Sequence, residues 1–291
     1  MDGTVSQTFR RMPDGRGVFY GWFEAMHSRF DLLLAGIEEA EGAALCADIA
    51  RETRRIEGRL SRFDERSEVG RFNGNTYYDR CHTDSEMLDI FEDALRYREL
   101  TCGAFDICIQ TPGYDPAEPY WSVDRACDAI LMPRSEVVFD FGGYGKGYAL
   151  EKARDAVTGA GIGSALLSFG NSSVCGIGLH PTGVAWQVGI ANPLRTGSVL
   201  THVVLRDVSL SSSGNTPRNR GHILSPLTGE RITDDRIVSV VGVSPLDCEV
   251  LSTALLAATG EMRGKILRNF ALQRAFALNF SSSGSSMTEY L

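Results

Sequence analysis

The sequence predicts a single compact chain of mixed helices and strands, and three observations carry that expectation. Two amphipathic helical stripes stand in the first third, β-branched runs dominate the middle, and a helical pattern returns after Pro245 before the last strands. The 291 residues suffice for one large domain or two modest ones with a sizeable core. Hydrophobic residues at 43% and charged residues at 23% fit an ordinary globular chain.

The elements follow in order. Residues 20–34, "YGWFEAMHSRFDLLL", mix aromatic and aliphatic side chains as a buried strand would, and Gly36 breaks the run. From Ala43 to Phe63, Leu45, Ile49, Ile56, Leu60 and Phe63 recur at intervals of three, four and seven, which predicts an amphipathic helix. "RSEVGRFNGN" reads as a polar loop. "TDSEMLDIFEDALRYREL" opens with Thr83 and Glu86 at capping-box spacing and continues as a helix. Residues 111–121, "TPGYDPAEPYW", read as a surface excursion, because composition does not shift across them.

"FDFGGYGKGYALEKARDAV", 139–157, predicts a strand-like run, a glycine turn and a helix. "ALLSFGNSSVCGIG" reads as strand, turn, strand, and "WQVGIANP" as a strand ended by Pro193. Strands continue through "THVVLRDVSLSSSG" and the buried "RIVSVVGVS", and "DCEVLSTALLAATG" is a helix stopped by Gly260. Residues 1–22 are expected to be an N-terminal extension, 23–280 the main domain, and 281–291 a flexible, serine-rich tail.

Several function classes are disfavoured. With 37 acidic against 29 basic residues and a formal charge of −8, the chain lacks the basic balance of a nucleic-acid protein. No apolar run approaches the roughly 20 residues of a membrane helix. The seven cysteines are scattered without a C-x-x-C pair, which predicts reduced thiols rather than disulfides or zinc. The N-terminal stretch has no apolar signal core and no cysteine to lipidate, so a cytoplasmic location is expected.

Three places can carry chemistry. Gly142 and Gly143 allow close backbone approach to a ligand, and Lys146 adds a cation at a helix start, a combination suited to phosphate. The spacing is neither that of a P-loop nor G-x-G-x-x-G, and a glycine turn also serves plain packing. Lys146 is expected to be a surface residue whose removal leaves folding nearly intact. His222, in "HILSPLTGE" after "SSSGNTPR", suits acid–base work or ligand contact, or is a satisfied structural histidine. Glu249 and Thr253, four apart on one helical face, can share a hard cation or be a solvated helix-start pair.

Taken in order, "FEAMHSRFDLLL", "LSRFDERSEVGRFN", "TCGAFDICI", "FDFGGYGKGYALEKA", "ALLSFGNSSVCGIG", "SSSGN", "HILSPLTGE" and "VSVVGVSPLDCEVLSTALLAATGE" resemble the ApbE family, the FAD:protein FMN transferases, from about Phe23 to Glu261. The resemblance implies an α+β fold related to the T-fold, one FAD per chain as substrate, and Mg2+ at its pyrophosphate. It also implies transfer of FMN to a threonine of a partner flavoprotein, with release of AMP. Met26 matches the methionine of A-M-G-T beside the flavin, Asp106 the second acid of T-D-G-A-F-D, and Lys146 the lysine of G-G-x-x-K-G. His222 matches the histidine of H-I-x-D-P-x-T-G. Lys146 and His222 are thereby implied as catalytic, and Met26, Phe63, Asp106, Gly143, Lys146, Ser213 and His222 as cofactor-binding. Gly145, through its carbonyl, Glu249 and Thr253 are implied as the metal ligands.

The chain departs from the family pattern at several of these places. Ser225 stands for the acid of H-I-x-D-P, Glu249 for the metal-binding aspartate, Phe63 for a tyrosine, Cys102 for the first acid of T-D-G-A-F-D and Asn171 for a glycine. Such changes suit a divergent transferase, a non-catalytic FAD-binding protein, or an FAD pyrophosphatase releasing FMN and AMP. The segment "SGNT", 213–216, loosely resembles an acceptor motif but falls on the family's own S-G turn.

Overall fold

The computed structural model describes residues 4–74, 79–134, 136–216 and 220–291. Its first strands are β1 (Ser6–Arg11), β2 (Gly17–Ala25) and β3 (Ser28–Ala35). The stretch expected as one strand over 20–34 is a hairpin, with Ala25 paired to Ser28 and Phe23 to Phe30. Met26 and His27 form its turn with φ of 49° and 54°, the positive values a two-residue hairpin turn requires. The Asn-Gly signal that usually announces such a turn is absent, which is why the sequence reads straight through it.

Between β3 and the next strand of the main sheet lie α1 (Glu39–Leu60), α2 (Glu68–Asn73), β4 (Asp79–His82), α3 (Ser85–Leu100), β5 (Ser122–Asp124), β6 (Ala129–Met132) and α4 (Gly145–Gly159). Then come β7 (Ser164–Phe169), β8 (Ser173–Gly178), β9 (Trp186–Ala191), β10 (Val199–Leu205), β11 (Val208–Gly214) and β12 (Arg236–Gly242). The chain closes with α5 (Pro245–Ala257), α6 (Gly260–Leu267), β13 (Leu272–Ser281) and β14 (Gly284–Glu289). The main sheet has nine strands in the order β1-β2-β3-β7-β8-β11-β12-β13-β14, every neighbour antiparallel. This is the α+β class that the family resemblance implies.

Alternation decides what covers each face of the sheet. Val238, Val240, Ala275 and Ala277 join the large core under α1, α4 and α5, whereas Ile237, Val241, Phe276 and Leu278 face a second core. Trp186, Ile190, Val203 and Leu205 of the two-stranded β9–β10 ribbon close that second core. Strand β12 is therefore apolar on both sides, as its unbroken β-branched run predicts.

Other local expectations change. Of the expected extension 1–22, the described part supplies β1 and most of β2, and the expected tail 281–291 supplies β14, paired to β13. Strand β14 is exposed along its whole length, so no hydrophobic alternation marks it. The loop expected at 66–75 contains α2, capped by Ser67, whose side chain accepts from Gly70 N; Asn75 lies outside the described residues. Helix α3 is capped by Asp84 rather than Thr83, which donates instead to Glu68. Helix α1 starts at Glu39 and ends at Leu60, leaving Phe63 outside it. The 111–121 excursion runs through turns, and its last residues, Tyr120 and Trp121, are buried.

The run before the glycine turn is not a strand, because the Asn73 side chain takes the place of a strand partner, bonding Phe139 N at 2.8 Å and Phe139 O at 2.9 Å. Helix α5 ends at Ala257, and Gly260 opens α6 instead of stopping α5. No disulfide joins the cysteines, and among the described residues no helix is long and apolar enough to cross a membrane.

Candidate active site

The site begins with a close helix–helix approach. At Gly147 a Cβ would lie 2.5 Å from Glu249 Cβ and 3.0 Å from Leu246 Cα, so only glycine lets the first turn of α4 rest on α5. That contact sets Lys146 Nζ 2.9 Å from Glu249 Oε1. Helix α5, started by the Ser244 cap and Pro245, is apolar nearly all round and holds Glu249 at only 5% exposure. Glu249 Oε2 accepts from Ser211 at 2.8 Å and from Ser173.

Burial acts most strongly on the Glu249 carboxyl and would raise its pKa. The Lys146 charge and the hydrogen bonds from Ser173, Lys146 and Ser211 outweigh it, so the group sits below its ordinary value, ionised. Lys146, half-buried, is thus the partner of a buried carboxylate, which argues against the expectation that its removal leaves folding nearly intact. Its loss would leave a carboxylate buried and uncompensated.

Above this pair lies a cleft of about 680 Å3. The Gly142–Gly143 turn, Lys146, Glu249 and Thr253 line one part of it. Ser213 of β11, beside Thr253, also lines the cleft, as do His222, Phe63 and Asp106. Strand β9 adds Val188, Gly189, Ile190 and Ala191. Met26 and Gly145 do not reach this cleft. They line an adjoining pocket of about 120 Å3 that shares Arg62, Phe63, Asp140, Gly142 and Lys146 with it.

The placed residues differ in how free they are to act. Asp106 is buried and committed: it pairs with Arg98 at 2.6 Å and accepts from Tyr114 Oη and Cys108 N, both at 2.8 Å. Phe63 is 70% exposed, with the Arg62 guanidinium 4.3 Å over its ring and His27 edge-on at 6.0 Å. Ser225 is buried in a turn, its N–H donating to Glu230 O, and faces no cleft atom among the described residues. Pro217 and Arg218 of "SSSGNTPR" lie outside the described residues.

Sequence reasoning named Ser213 but missed Ser173 and Ser211, which bond Glu249. Ser209, Ser211 and Ser213 alternate along β11, and Ser213 Oγ stands 2.7 Å from Ser252 Oγ and 3.0 Å from Thr253 Oγ1. A serine at every second position of a strand facing a helix that carries a carboxylate was the available signal. The Arg62–Asp140 pair at 3.2 Å, on the wall shared by the two pockets, had no such signal.

The donor chemistry suits a hard cation. Glu249 Oε1 keeps a lone pair beyond its contact with Lys146, and Thr253 Oγ1 and Ser213 Oγ, 3.0 Å from each other, are neutral oxygens on residues lining the same cleft. The glycine against Thr253 is Gly143, where a Cβ would stand 3.4 Å from Thr253 Oγ1; at Gly145 it would meet Met26 Sδ at 3.7 Å. Among the described residues no three His, Cys, Asp or Glu side chains cluster as a metal site. Glu249 is the anionic donor beside Lys146, and Asp140, which accepts from Gly142 N at 2.8 Å and pairs with Arg62, is a second carboxylate on the cleft wall.

The family model described as "ApbE family" matches residues 26–276. The chain belongs to the ApbE family. Curated relatives include the FAD:protein FMN transferase of Vibrio cholerae serotype O1, 25% identical over 258 residues that cover 77% of this chain and 76% of the relative. The FAD:protein FMN transferase of Klebsiella pneumoniae is 24% identical over 273 residues, covering 81% and 77%. Among solved structures, the flavin transferase ApbE from Vibrio cholerae superposes with a TM-score of 0.76 at 19% identity, over 98% of this chain and 97% of that one. The ApbE protein from Thermotoga maritima also gives 0.76, at 21% identity over 94% and 96%. At these identities the structural likeness is one of fold, and it extends over nearly the whole of this ApbE chain.

Proposed function

We propose that this ApbE-family chain is an FAD:protein FMN transferase that moves FMN from FAD to a threonine of a partner flavoprotein and releases AMP. The observation that carries the reading is the cleft floor, where a glycine turn, the Lys146 ammonium and the buried, ionised Glu249 meet. A diphosphate needs close backbone approach and positive charge: the glycine turn offers the first, and because Lys146 is already balanced by Glu249, the net charge would come with the Mg2+ that Glu249 helps to hold. The names of the curated relatives support the same reaction.

In that reaction the threonine Oγ forms a bond to the FMN-side phosphorus, and the bond from that phosphorus to the bridging oxygen breaks. AMP leaves with the bridging oxygen. His222 lines the same cleft and is the group assigned to take the hydroxyl proton. Lys146 neutralises diphosphate charge, while Glu249, Thr253 and Ser213 would hold Mg2+. When bound, the ion supplies Lewis-acid stabilisation of the phosphoryl oxygens.

The test is incubation of the protein with FAD and Mg2+, with and without a threonine-bearing flavoprotein, measuring AMP, free FMN and protein-bound flavin. AMP equal to protein-bound flavin is expected. AMP matched by free FMN would make the protein a pyrophosphatase, and FAD bound without AMP would make it a binding protein. His222→Ala should lower turnover about 100-fold or more while changing the FAD Kd far less.

A further inference from the structure

Strand β9 meets the cleft edge-on. Successive residues of a strand point to opposite faces, so a wall built from one face would show every second residue. The cleft is lined instead by Val188, Gly189, Ile190 and Ala191 in unbroken succession. It therefore runs along the strand's backbone edge. The opposite edge of β9 is hydrogen-bonded to β10, from Trp186 opposite Leu205 to Ala191 opposite Val199. Among the described residues, no strand pairs with the edge that meets the cleft, and no turn or loop backbone group bonds to 187–191.

An open strand edge is normally guarded by charge, by proline within the strand or by a covering element. Strand β9, "WQVGIA", carries no charge and no proline. Exposed apolar side chains stand near it, Val184 at 58% and Leu194 at 42% on the loops at its two ends, and Val199 at 45% and Val204 at 59% on β10. Such an edge pairs with another extended chain, through backbone bonds on the strand and side-chain contacts beside it.

We infer that the free edge of β9 is the docking site for the acceptor protein, which adds an extended segment as a third strand of the β9–β10 ribbon. This rests on the transferase reading. That reaction must bring a side-chain hydroxyl of another protein into a cleft whose floor holds Lys146, Glu249 and Thr253. An extended segment on β9 points every second side chain away from one ribbon face, so a single threonine can enter while the backbone stays anchored along the wall. The exposed valines and Leu194 suit apolar residues flanking that threonine. The interaction is sequence-tolerant along the backbone and selective at the alternate side chains.

The experiment uses the full chain, FAD, Mg2+ and a library of synthetic decapeptides with a fixed central threonine, read by mass spectrometry for peptide-bound FMN. On a labelled peptide, backbone N-methylation is then scanned position by position. Strand addition predicts that the peptide KM rises about tenfold at alternate positions and stays unchanged between them, the loss expected for one backbone hydrogen bond. A flat scan, or losses at consecutive positions, overturns the inference while leaving the transferase reading intact. Proline is also placed singly at Val188, Gly189, Ile190 and Ala191. Each is compared with alanine at the same position, the wild-type residue at 191, so that the side-chain change at buried Ile190 and the crowding of any Cβ at Gly189 cancel. Against that control, the two positions whose N–H bonds β10 should lose melting temperature, and the two whose N–H faces the cleft should raise the peptide KM with a matching FAD Kd. If those two instead weaken FAD binding and leave the peptide KM alone, the edge serves the nucleotide and the inference is wrong. If the protein releases AMP from FAD and labels no peptide, the transferase reading falls, and the docking site falls with it.

Discussion

Lys146 and Glu249 illustrate how one contact redefines a residue's role. Each alone is expensive to bury, but the pair is neutral, and Ser173 and Ser211 satisfy the second carboxylate oxygen. Lys146→Ala should destabilise the protein by about 3–5 kcal/mol at neutral pH, the cost of leaving one buried charge unpaired. In that variant only the Ser173 and Ser211 hydrogen bonds still oppose burial, so the Glu249 pKa rises relative to wild type, and the deficit should shrink as pH falls and the carboxyl protonates. In the wild type the sign is opposite. The depressed Glu249 contributes stability fully present above its unfolded value of about 4.3 and lost as pH drops through its lower folded value. Thermal melts of both proteins between neutral and acidic pH test this, and a deficit independent of pH would assign the loss to packing. The carboxylate also bears on chemistry: Glu249→Gln should lower Mg2+-dependent AMP release about 100-fold or more, whereas Glu249→Asp keeps the charge and should keep the dependence. Equal Mg2+ dependence in Glu249→Gln and wild type would remove Glu249 from the metal's ligands.

At the scale of elements, the site exists because α4 and α5 touch where side chains would normally hold helices apart. Gly147→Ala should cost about 1–3 kcal/mol through overpacking, since Leu246 Cα and Pro245 O stand within 3.1 Å of the new Cβ besides Glu249 itself. It should also separate Lys146 from Glu249 and weaken FAD binding, which calorimetry on the folded variant would detect. A folded variant with unchanged melting temperature and FAD affinity would mean that the two helices tolerate a wider spacing. The sequence made much of this level legible. Periodicity announced α1, α3 and α5, short apolar runs bounded by turn residues announced β7 to β11, and a β-branched run announced β12. Hidden features depended on partners distant in the chain. Asn73 stands in for a strand beside Phe139, the Met26–His27 turn carries no turn residues, and α2 is too short for a helical stripe. In the site, Lys146, His222, Glu249 and Thr253 were visible as residue types on loops and helix starts. Their common cleft, and the serines that satisfy Glu249, became visible only once β11 lay against α5.

Across the whole molecule, the two chain ends form the two edges of the main sheet, β1 at one side and β14 at the other. The residues read as a flexible tail therefore have a protective task. Strand β13 is buried and apolar from Ala275 to Leu278, and without β14 its outer edge would be an unguarded pairing template. Strand β14 covers it with polar residues. Arg274 pairs with Glu289, Tyr290 N donates to Ala275 O at 2.7 Å, and Arg263 lies 4.7 Å over the Tyr290 ring. Truncation after Ser281 removes all of these at once, yet it touches neither the Lys146–Glu249 pair nor the cleft wall. The truncated protein should melt lower by at least about 2 °C, the shift expected for a loss near 1 kcal/mol in a chain of this size. It should also self-associate with rising concentration through the exposed β13 edge, and bind FAD as the full chain does while folded. Scanning calorimetry with sedimentation velocity separates the possibilities. An unchanged melting temperature and an unchanged sedimentation profile would return these residues to the status of a dispensable tail, whereas lost FAD affinity in a folded, monomeric protein would show that the sheet edge and the cleft are coupled.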